Sequence, residues 1–86
     1  MTKREQVKYK VDEVLHDILC VGYNEITDDA VLRDDLGADS LDAVEIVMEL
    51  EHELDIYIPD DKMHEIYHNA SYTVKDVYDA VEELMQ

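Results

Sequence analysis

The sequence predicts an all-α fold, a small four-helix bundle with three longer helices, one short third helix and a long first loop. Apolar residues recur at helical spacing in four separate stretches of the chain. The 86 residues include only two glycines and one proline, and 47% are hydrophobic, a composition typical of a globular helical protein. A chain of this length predicts one domain over residues 1–86.

The first helix is predicted from about residue 3 to 19. Thr2 and Glu5 have the spacing of a capping box, in which each side chain bonds the other residue's backbone N–H. The apolar stripe of this helix consists of Val7, Val11, Val14, Leu15 and Ile18.

Residues 20–39 are predicted to form an ordered loop. Gly22, Asn24 and Thr27 interrupt the helical spacing. Four apolar residues are expected to anchor the loop to the core: Ile26, Val31, Leu32 and Leu36. Cys20 is interpreted as a small core residue, and a single cysteine excludes an internal disulfide and fits a reducing compartment.

The second helix is predicted to begin at Ser40 or Leu41 and to end near Asp55. Its core face is predicted to contain Ala43, Val44, Val47, Leu50 and Leu54. A second face carries the acids Asp42, Glu45, Glu49 and Glu53, with Leu41 and Met48 on the flank between them. A row of acids is typical of a solvated face, and the two flanking apolar residues also fit a docking surface.

Pro59 separates the second helix from a short third one, predicted over residues 60–67 with Met63 and Ile66 facing inward. Residues 67–72 are predicted to be a linker. Thr73 and Asp76 resemble another cap, which opens a fourth helix that runs to about residue 85. Its apolar stripe consists of Val74, Val77, Val81 and Leu84.

The charge is strongly negative, with 23 acidic against 7 basic residues and a net charge of −16. Such a surface repels nucleic acid and anionic membranes, and it favours partners with basic surfaces. No apolar run reaches the length of a membrane span, and the first residues do not form an apolar signal segment. We expect a cytoplasmic monomer.

The segment His64-Glu65-Ile66-Tyr67-His68 matches the spacing of a zinc-protease helix. In a helix both imidazoles would share one face, with a remote third ligand among Asp79, Glu82 and Glu83. A chain of this size offers no substrate cleft, so solvated side chains are the favoured interpretation, with adventitious metal binding by the pair as an alternative, and no dedicated metal site is expected. His16 and His52 are also expected at the surface.

The segment Asp35-Leu36-Gly37-Ala38-Asp39-Ser40-Leu41-Asp42, followed by Val44-Glu45 and residues 55–59, resembles the acyl carrier proteins of fatty acid synthesis. The similarity spans essentially the whole chain. It implies that Ser40 carries a covalent 4′-phosphopantetheine arm whose thiol holds acyl groups as thioesters. The resemblance also implies that Asp39 helps to present this serine to a phosphopantetheinyl transferase, and that fatty acid synthesis enzymes bind the second helix.

The residues near Ser40 are consistent with this role. A serine at a helix start ordinarily caps free backbone N–H groups. The same position is also exposed, and the positive end of the helix suits a phosphodiester. No histidine is near in sequence and the neighbouring acids would not stabilise an alkoxide, so the base must come from the transferase and the chain is not an enzyme. Gly37 is expected to permit the turn before the serine.

The partner surface is predicted to consist of Leu41, Asp42, Glu45, Met48 and Glu49. The resemblance further implies a core that opens for an acyl chain, lined by Val7, Val11, Val44, Val47, Ile66, Val77 and Val81. The linker at 67–72 is several residues longer than the family leads us to expect. The alternatives are a carrier of aminoacyl or polyketide units, an acidic interaction module and a zinc hydrolase.

Overall fold

The computed structural model describes residues 2–85, and over this range the chain forms four α-helices. They are α1 (Lys3–Leu19), α2 (Ser40–Leu54), α3 (Asp60–His68) and α4 (Val74–Leu84), with a short 3₁₀ turn at Tyr23–Glu25. The predicted all-α bundle is confirmed. The observed helix bounds agree with the predicted bounds to within a residue or two, and α3 extends one residue further than predicted.

Reciprocal side-chain caps begin three of the helices. Thr2 and Glu5 form the predicted capping box before α1, and Thr73 and Asp76 form the one before α4. Pro59 immediately precedes α3 with a φ of −68°. After α2 the chain turns at Asp55 in the left-handed region (φ 52°), and the backbone N–H of Ile58 donates to the Glu51 carboxylate at 2.8 Å.

One apolar core lies between the helices. Helix α1 buries its predicted valines and Leu15, whereas α3 contributes only Ile66 as a fully buried residue. On α2 the prediction for Val44 is wrong, because Val44 is 37% exposed while Ile46, which the sequence analysis left out, is 1% exposed. The inward arc of α2 is therefore centred between Ala43 and Leu50, and Leu54 is only half-buried.

The long loop between α1 and α2 is ordered and hydrogen-bonded to the start of α4. The N–H of Leu32 donates to the Tyr72 carbonyl at 3.0 Å, and the N–H of Val74 donates to the Ala30 carbonyl at 3.0 Å. Ile26, Leu32 and Leu36 are buried as predicted, and Val31 is half-buried. The loop thereby acquires a fixed path that ends at the first residue of α2.

Two predictions at the end of α1 are wrong. Cys20 is exposed, because it follows the helix in a left-handed conformation (φ 57°) in which its N–H donates to the His16 carbonyl. His16 is half-buried, because the loop folds back over it. Its Nδ1 lies 2.7 Å from the Val21 carbonyl oxygen, and its ring stacks on Tyr23 at 4.3 Å.

A polar cluster around Tyr78 joins α1 to α4. The Tyr78 ring is buried, and its hydroxyl donates to the Asp12 carboxylate. The Lys8 ammonium also donates to the hydroxyl at 3.2 Å, and Arg4 lies 5.2 Å from the ring centroid. Burial and the bond to the Asp12 carboxylate raise the pKa of Tyr78.

We predict that Tyr78→Phe lowers the free energy of unfolding by about 1–3 kcal/mol, because Asp12 loses the hydroxyl that it binds. The folded state also holds the Tyr78 proton more tightly than the unfolded chain does. This contribution is fully present below the ordinary tyrosine pKa of 10.0 and is lost as the pH rises towards the higher folded value. Urea unfolding between pH 7 and 11 measures both effects.

The wild type should therefore lose stability above pH 10 more steeply than Tyr78→Phe does. Tyr57→Phe serves as the control, because Tyr57 is 71% exposed. Equal alkaline slopes for the wild type and Tyr78→Phe would show that the Tyr78 proton does not contribute to stability.

Candidate functional site

The loop delivers Ser40 to the start of α2 through a tight turn at Gly37. Gly37 has a φ of 74°, in the left-handed region that glycine adopts without strain, as the sequence analysis anticipated. On either side of it Leu36 and Ala38 are buried, and the Ala38 N–H donates to the Leu32 carbonyl at 2.8 Å. Leu36 and Ala38 therefore fix the positions of Asp39 and Ser40, the next two residues, at the protein surface.

Asp39, and not Ser40, caps α2. Its carboxylate accepts a hydrogen bond from the Asp42 N–H at 2.8 Å, and the Asp42 carboxylate accepts one from the Asp39 N–H at 3.1 Å. Ser40 is the first residue of the helix itself. The interpretation of Ser40 as a capping residue is therefore wrong, and the sequence already contained the signal, because Asp39 and Asp42 have capping-box spacing.

The Ser40 side chain is exposed at the positive end of a helix dipole. Among residues 2–85 the cap of α2 is formed by Asp39 and Asp42, and the Ser40 hydroxyl takes part in neither of its hydrogen bonds. Backbone N–H groups in the first turn of α2 favour an anion here, although the carboxylates of Asp39 and Asp42 partly oppose it. These features fit a phosphodiester-linked group attached from outside.

The flank of α2 beyond Ser40 presents apolar side chains among free acids. Leu41 is 72% exposed and Met48 is 63% exposed, as expected for residues off the core face. Glu45 and Glu49 are exposed beside them, whereas Asp42 is half-buried and holds the cap. We define the α2 flank as the five predicted residues Leu41, Asp42, Glu45, Met48 and Glu49.

The sequence analysis missed Val44 as a member of this exposed side. Residues 41, 44 and 48 are spaced three and four apart, which places them on one side of a helix, and this spacing was the available signal. Tyr57, which follows α2, is a further exposed apolar residue.

The ion pairs of the described chain lie elsewhere. Arg4 contacts Asp79 and Glu82 at 3.0 Å each, and Lys10 contacts Glu53 at 3.3 Å. The remaining pairs join Lys8 to Asp12, Lys10 to Glu13, Lys62 to Glu83 and Lys75 to Asp79. Within residues 2–85 none of these pairs involves Asp42, Glu45 or Glu49, so the charge of the α2 flank is not neutralised internally.

A cavity of about 20 Å³ lies beside the cap of α2. It is bounded by the loop, α2, α3 and the linker before α4, with Ala38, Asp39, Ala43, Ile66 and Tyr72 among its walls. Arg33 closes one side by donating to the Tyr67 carbonyl at 3.2 Å. A volume of this size holds about one water molecule, so an acyl chain would require the walls to separate.

This cavity differs from the one expected from the sequence. Of the seven residues predicted to line an acyl pocket, only Ile66 borders it, and Val44 lies at the surface. The longer linker is folded into the structure: the Ser71 N–H donates to the Asn69 side chain at 2.9 Å, and Tyr72 is buried.

The histidine motif lies wholly on α3, with both imidazoles exposed, and His52 is also exposed as expected. Across residues 2–85 no three His, Cys, Asp or Glu side chains come together as metal ligands. The third ligand expected from Asp79, Glu82 or Glu83 is therefore not supplied, and the zinc hydrolase alternative lacks its metal centre.

The family model for the phosphopantetheine attachment site matches residues 10–77 of this chain. The acyl carrier protein of Rubrobacter xylanophilus is 41% identical over 80 residues, which cover 93% of each chain. The acyl carrier protein of Chlorobium phaeobacteroides is 41% identical over 73 residues, which cover 81% of this chain and 94% of the relative.

The chain belongs to the acyl carrier protein family. The predicted family, its phosphopantetheine cofactor and its carrier role are thereby confirmed. Members of this family carry acyl groups and are not themselves the catalysts. In the part of this acyl carrier that the structure describes, no helix combines the length and the apolar character needed to cross a membrane.

We predict that Asp39→Ala lowers the free energy of unfolding by about 0.5–2 kcal/mol, because the Asp42 N–H loses its acceptor. Asp39→Asn is the matched variant. It keeps a side-chain oxygen at the same position and should lie within a few tenths of a kcal/mol of the wild type. Chemical unfolding of the three proteins, followed by circular dichroism, makes the comparison. Equal losses in both variants would contradict a capping role.

Proposed function

We propose that Ser40 is the attachment residue for 4′-phosphopantetheine, and that the protein carries acyl intermediates of fatty acid biosynthesis on this arm. One observation supports the assignment most directly. Ser40 is an exposed first-turn residue whose hydroxyl is not used as the helix cap, because Asp39 occupies that position. Residues 1–86 would then act as one cytoplasmic carrier domain, as a monomer.

Attachment would form a bond between Ser40 Oγ and a phosphorus of coenzyme A. The pyrophosphate P–O bond of the coenzyme would break, the nucleotide portion would leave, and the serine proton would pass to a base on the transferase. The described chain offers Ser40 no hydrogen-bonded base, which supports a substrate role and no catalysis of its own. Once attached, the arm supplies a thiol that forms thioesters with acyl groups.

The contribution of this chain is to present the serine and orient the arm. Buried Leu36 and Ala38 fix the loop, and the cap fixes the first turn of α2. The positive end of α2 stabilises the phosphodiester by a modest amount, about 0.3–1 kcal/mol at an exposed site. Asp39 has a second proposed role, in presenting Ser40 to the transferase. Its carboxylate is exposed while it caps the helix.

We further propose that partner enzymes bind the α2 flank. The exposed side chains of Leu41 and Met48 would enter apolar depressions, and Glu45 and Glu49 would pair with basic residues around them. Their carboxylates have no internal ion pair among residues 2–85, so binding need not break one. The transferase and the fatty acid synthesis enzymes would share this surface in turn.

Incubation with coenzyme A and a phosphopantetheinyl transferase should add the mass of one arm to the protein. Ser40→Ala should gain no mass. The chain contains one other serine, Ser71, so Ser71→Ala is the matched control and should load like the wild type. Intact-protein mass spectrometry measures all three. Loading of Ser40→Ala would overturn the assignment, and failure of the wild type to load would favour an acidic interaction module.

The same loading assay separates the two roles of Asp39. Asp39→Asn retains the cap but not the charge, so slower loading at unchanged stability is expected if the carboxylate acts on the transferase. Loading at the wild-type rate would restrict Asp39 to capping.

The identity of the acyl group is tested by offering the loaded protein to fatty acid synthesis enzymes. Acceptance of the loaded protein only by aminoacyl- or polyketide-forming enzymes would favour a carrier of aminoacyl or polyketide units.

Glu45→Lys should slow transfer to partner enzymes roughly two- to five-fold at low salt, since exposed ion pairs contribute about 0.2–1 kcal/mol. Far-ultraviolet circular dichroism should be unchanged. Asp17→Lys provides the control, because Asp17 is exposed on α1 and its reversal changes the net charge equally. Stopped-flow transfer rates at several salt concentrations should converge for all three proteins as salt screens the charges. Equal slowing in both variants would contradict a specific α2 flank.

A further inference from the structure

Two imidazoles lie side by side on the exposed face of α3. His64 and His68 are four residues apart on this helix, their ring centroids are 4.3 Å apart, and their planes are inclined by 39°. Both side chains are exposed. Both residues lie on α3, whereas Ser40 and the α2 flank lie on α2.

The surroundings of this pair favour a cation. His68 lies in the last turn of α3, where the negative end of the helix dipole attracts positive charge. Asp61 precedes His64 by three residues and so lies on the same side of α3, and the whole chain has a net charge of −16. Two neighbouring imidazole rings and nearby negative charge both favour binding of a divalent cation, and neutral imidazole is a common metal ligand in proteins.

We propose that His64 and His68 chelate one divalent transition-metal ion, each through one ring nitrogen. Because no group of three ligands forms among residues 2–85, water would complete the coordination sphere. Imidazole ligands suit copper, nickel and zinc, and the general affinity order places Cu²⁺ first. Mg²⁺ and Ca²⁺ prefer oxygen ligands and would not use this pair.

Metal binding would also act on the helix that carries the pair. Of the nine residues of α3 only Ile66 is buried, with Met63 and Tyr67 partly buried against the core, so α3 buries less apolar surface than the longer helices. An ion that joins positions 64 and 68 is bound more tightly when the intervening turn is helical, because the helix holds the two imidazoles side by side, and it therefore stabilises that turn. Tyr67, whose carbonyl accepts the bond from Arg33, belongs to this turn. The inference does not depend on the role of Ser40.

The test is titration of the full chain with Cu²⁺, Ni²⁺ or Zn²⁺ in a non-coordinating buffer at pH 7.5, followed by calorimetry. Cys20→Ser is the background for every protein, because Cys20 is exposed and its thiol would react with Cu²⁺. In this background His64→Ala and His68→Ala are compared with His52→Ala, which removes an exposed imidazole from α2.

The expected result is one ion per chain, bound most tightly for Cu²⁺, with that binding lost in His64→Ala and in His68→Ala but retained in His52→Ala. The amide protons of α3 should exchange more slowly when the metal is present, in the His52→Ala control as well. Affinity should fall in acid, because protons compete for the ring nitrogens. Binding that survives both α3 substitutions, or that is lost only with His52, would overturn the proposal.

Discussion

The reciprocal hydrogen bonds between Asp39 and Asp42 fix the start of α2 and leave the neighbouring Ser40 hydroxyl free for chemistry. A helix start has free backbone N–H groups, and a polar side chain in the cap position can satisfy one of them. Since Asp39 does so, the following residue, Ser40, keeps an unengaged hydroxyl at the same end of α2. The Asp39–Asp42 pair thus stabilises the helix. Of two adjacent residues, Asp39 has the structural role and Ser40 is left free for the chemical one.

The cap itself depends on the loop that leads to it. Backbone bonds from the loop to Tyr72 and Val74 tie this segment to the opposite end of the chain, and buried Leu32 and Leu36 hold it against the core. The position of Ser40 is therefore set by α4 as well as by α2. The cavity beside the cap lies where the loop, α2, α3 and the linker meet, so a shift of this junction would change the cavity as well as the position of Ser40.

Much of this could be predicted from the sequence, because helical spacing, capping boxes and a lone proline are local signals. The four helices, the exposed flank at Leu41 and Met48, and the turn at Gly37 follow from such signals. The sequence did not determine whether Val44 or Ile46 faces the core. The apolar arc of α2 is broad, so its spacing alone fits two orientations of the helix that differ by the rotation of about one residue. Only tertiary contact with α1 and α3 settles the rotation.

The errors at Cys20 and His16 have another origin. Both depend on how the chain leaves α1, and a left-handed backbone at a non-glycine residue has no clear sequence signal. The location of the cavity could not be predicted either, since it arises where two stretches that are distant in sequence, residues 32–43 and 66–72, come together. The Asp39 cap was predictable from the spacing of Asp39 and Asp42, but the sequence analysis assigned the capping role to Ser40 because serine is a common capping residue.

The distribution of ion pairs makes the molecule electrically asymmetric. Basic residues near the N-terminus pair with acids of α1 and α4 and with Glu53 near the C-terminal end of α2, whereas Asp42, Glu45 and Glu49 form no ion pair among the described residues. An uneven distribution of charge gives a molecule a dipole moment, and the electric field of a cationic enzyme exerts a torque on such a dipole. Under the proposed role of the α2 flank, this torque would turn α2 towards the enzyme before contact, and fewer encounters would occur in the wrong orientation.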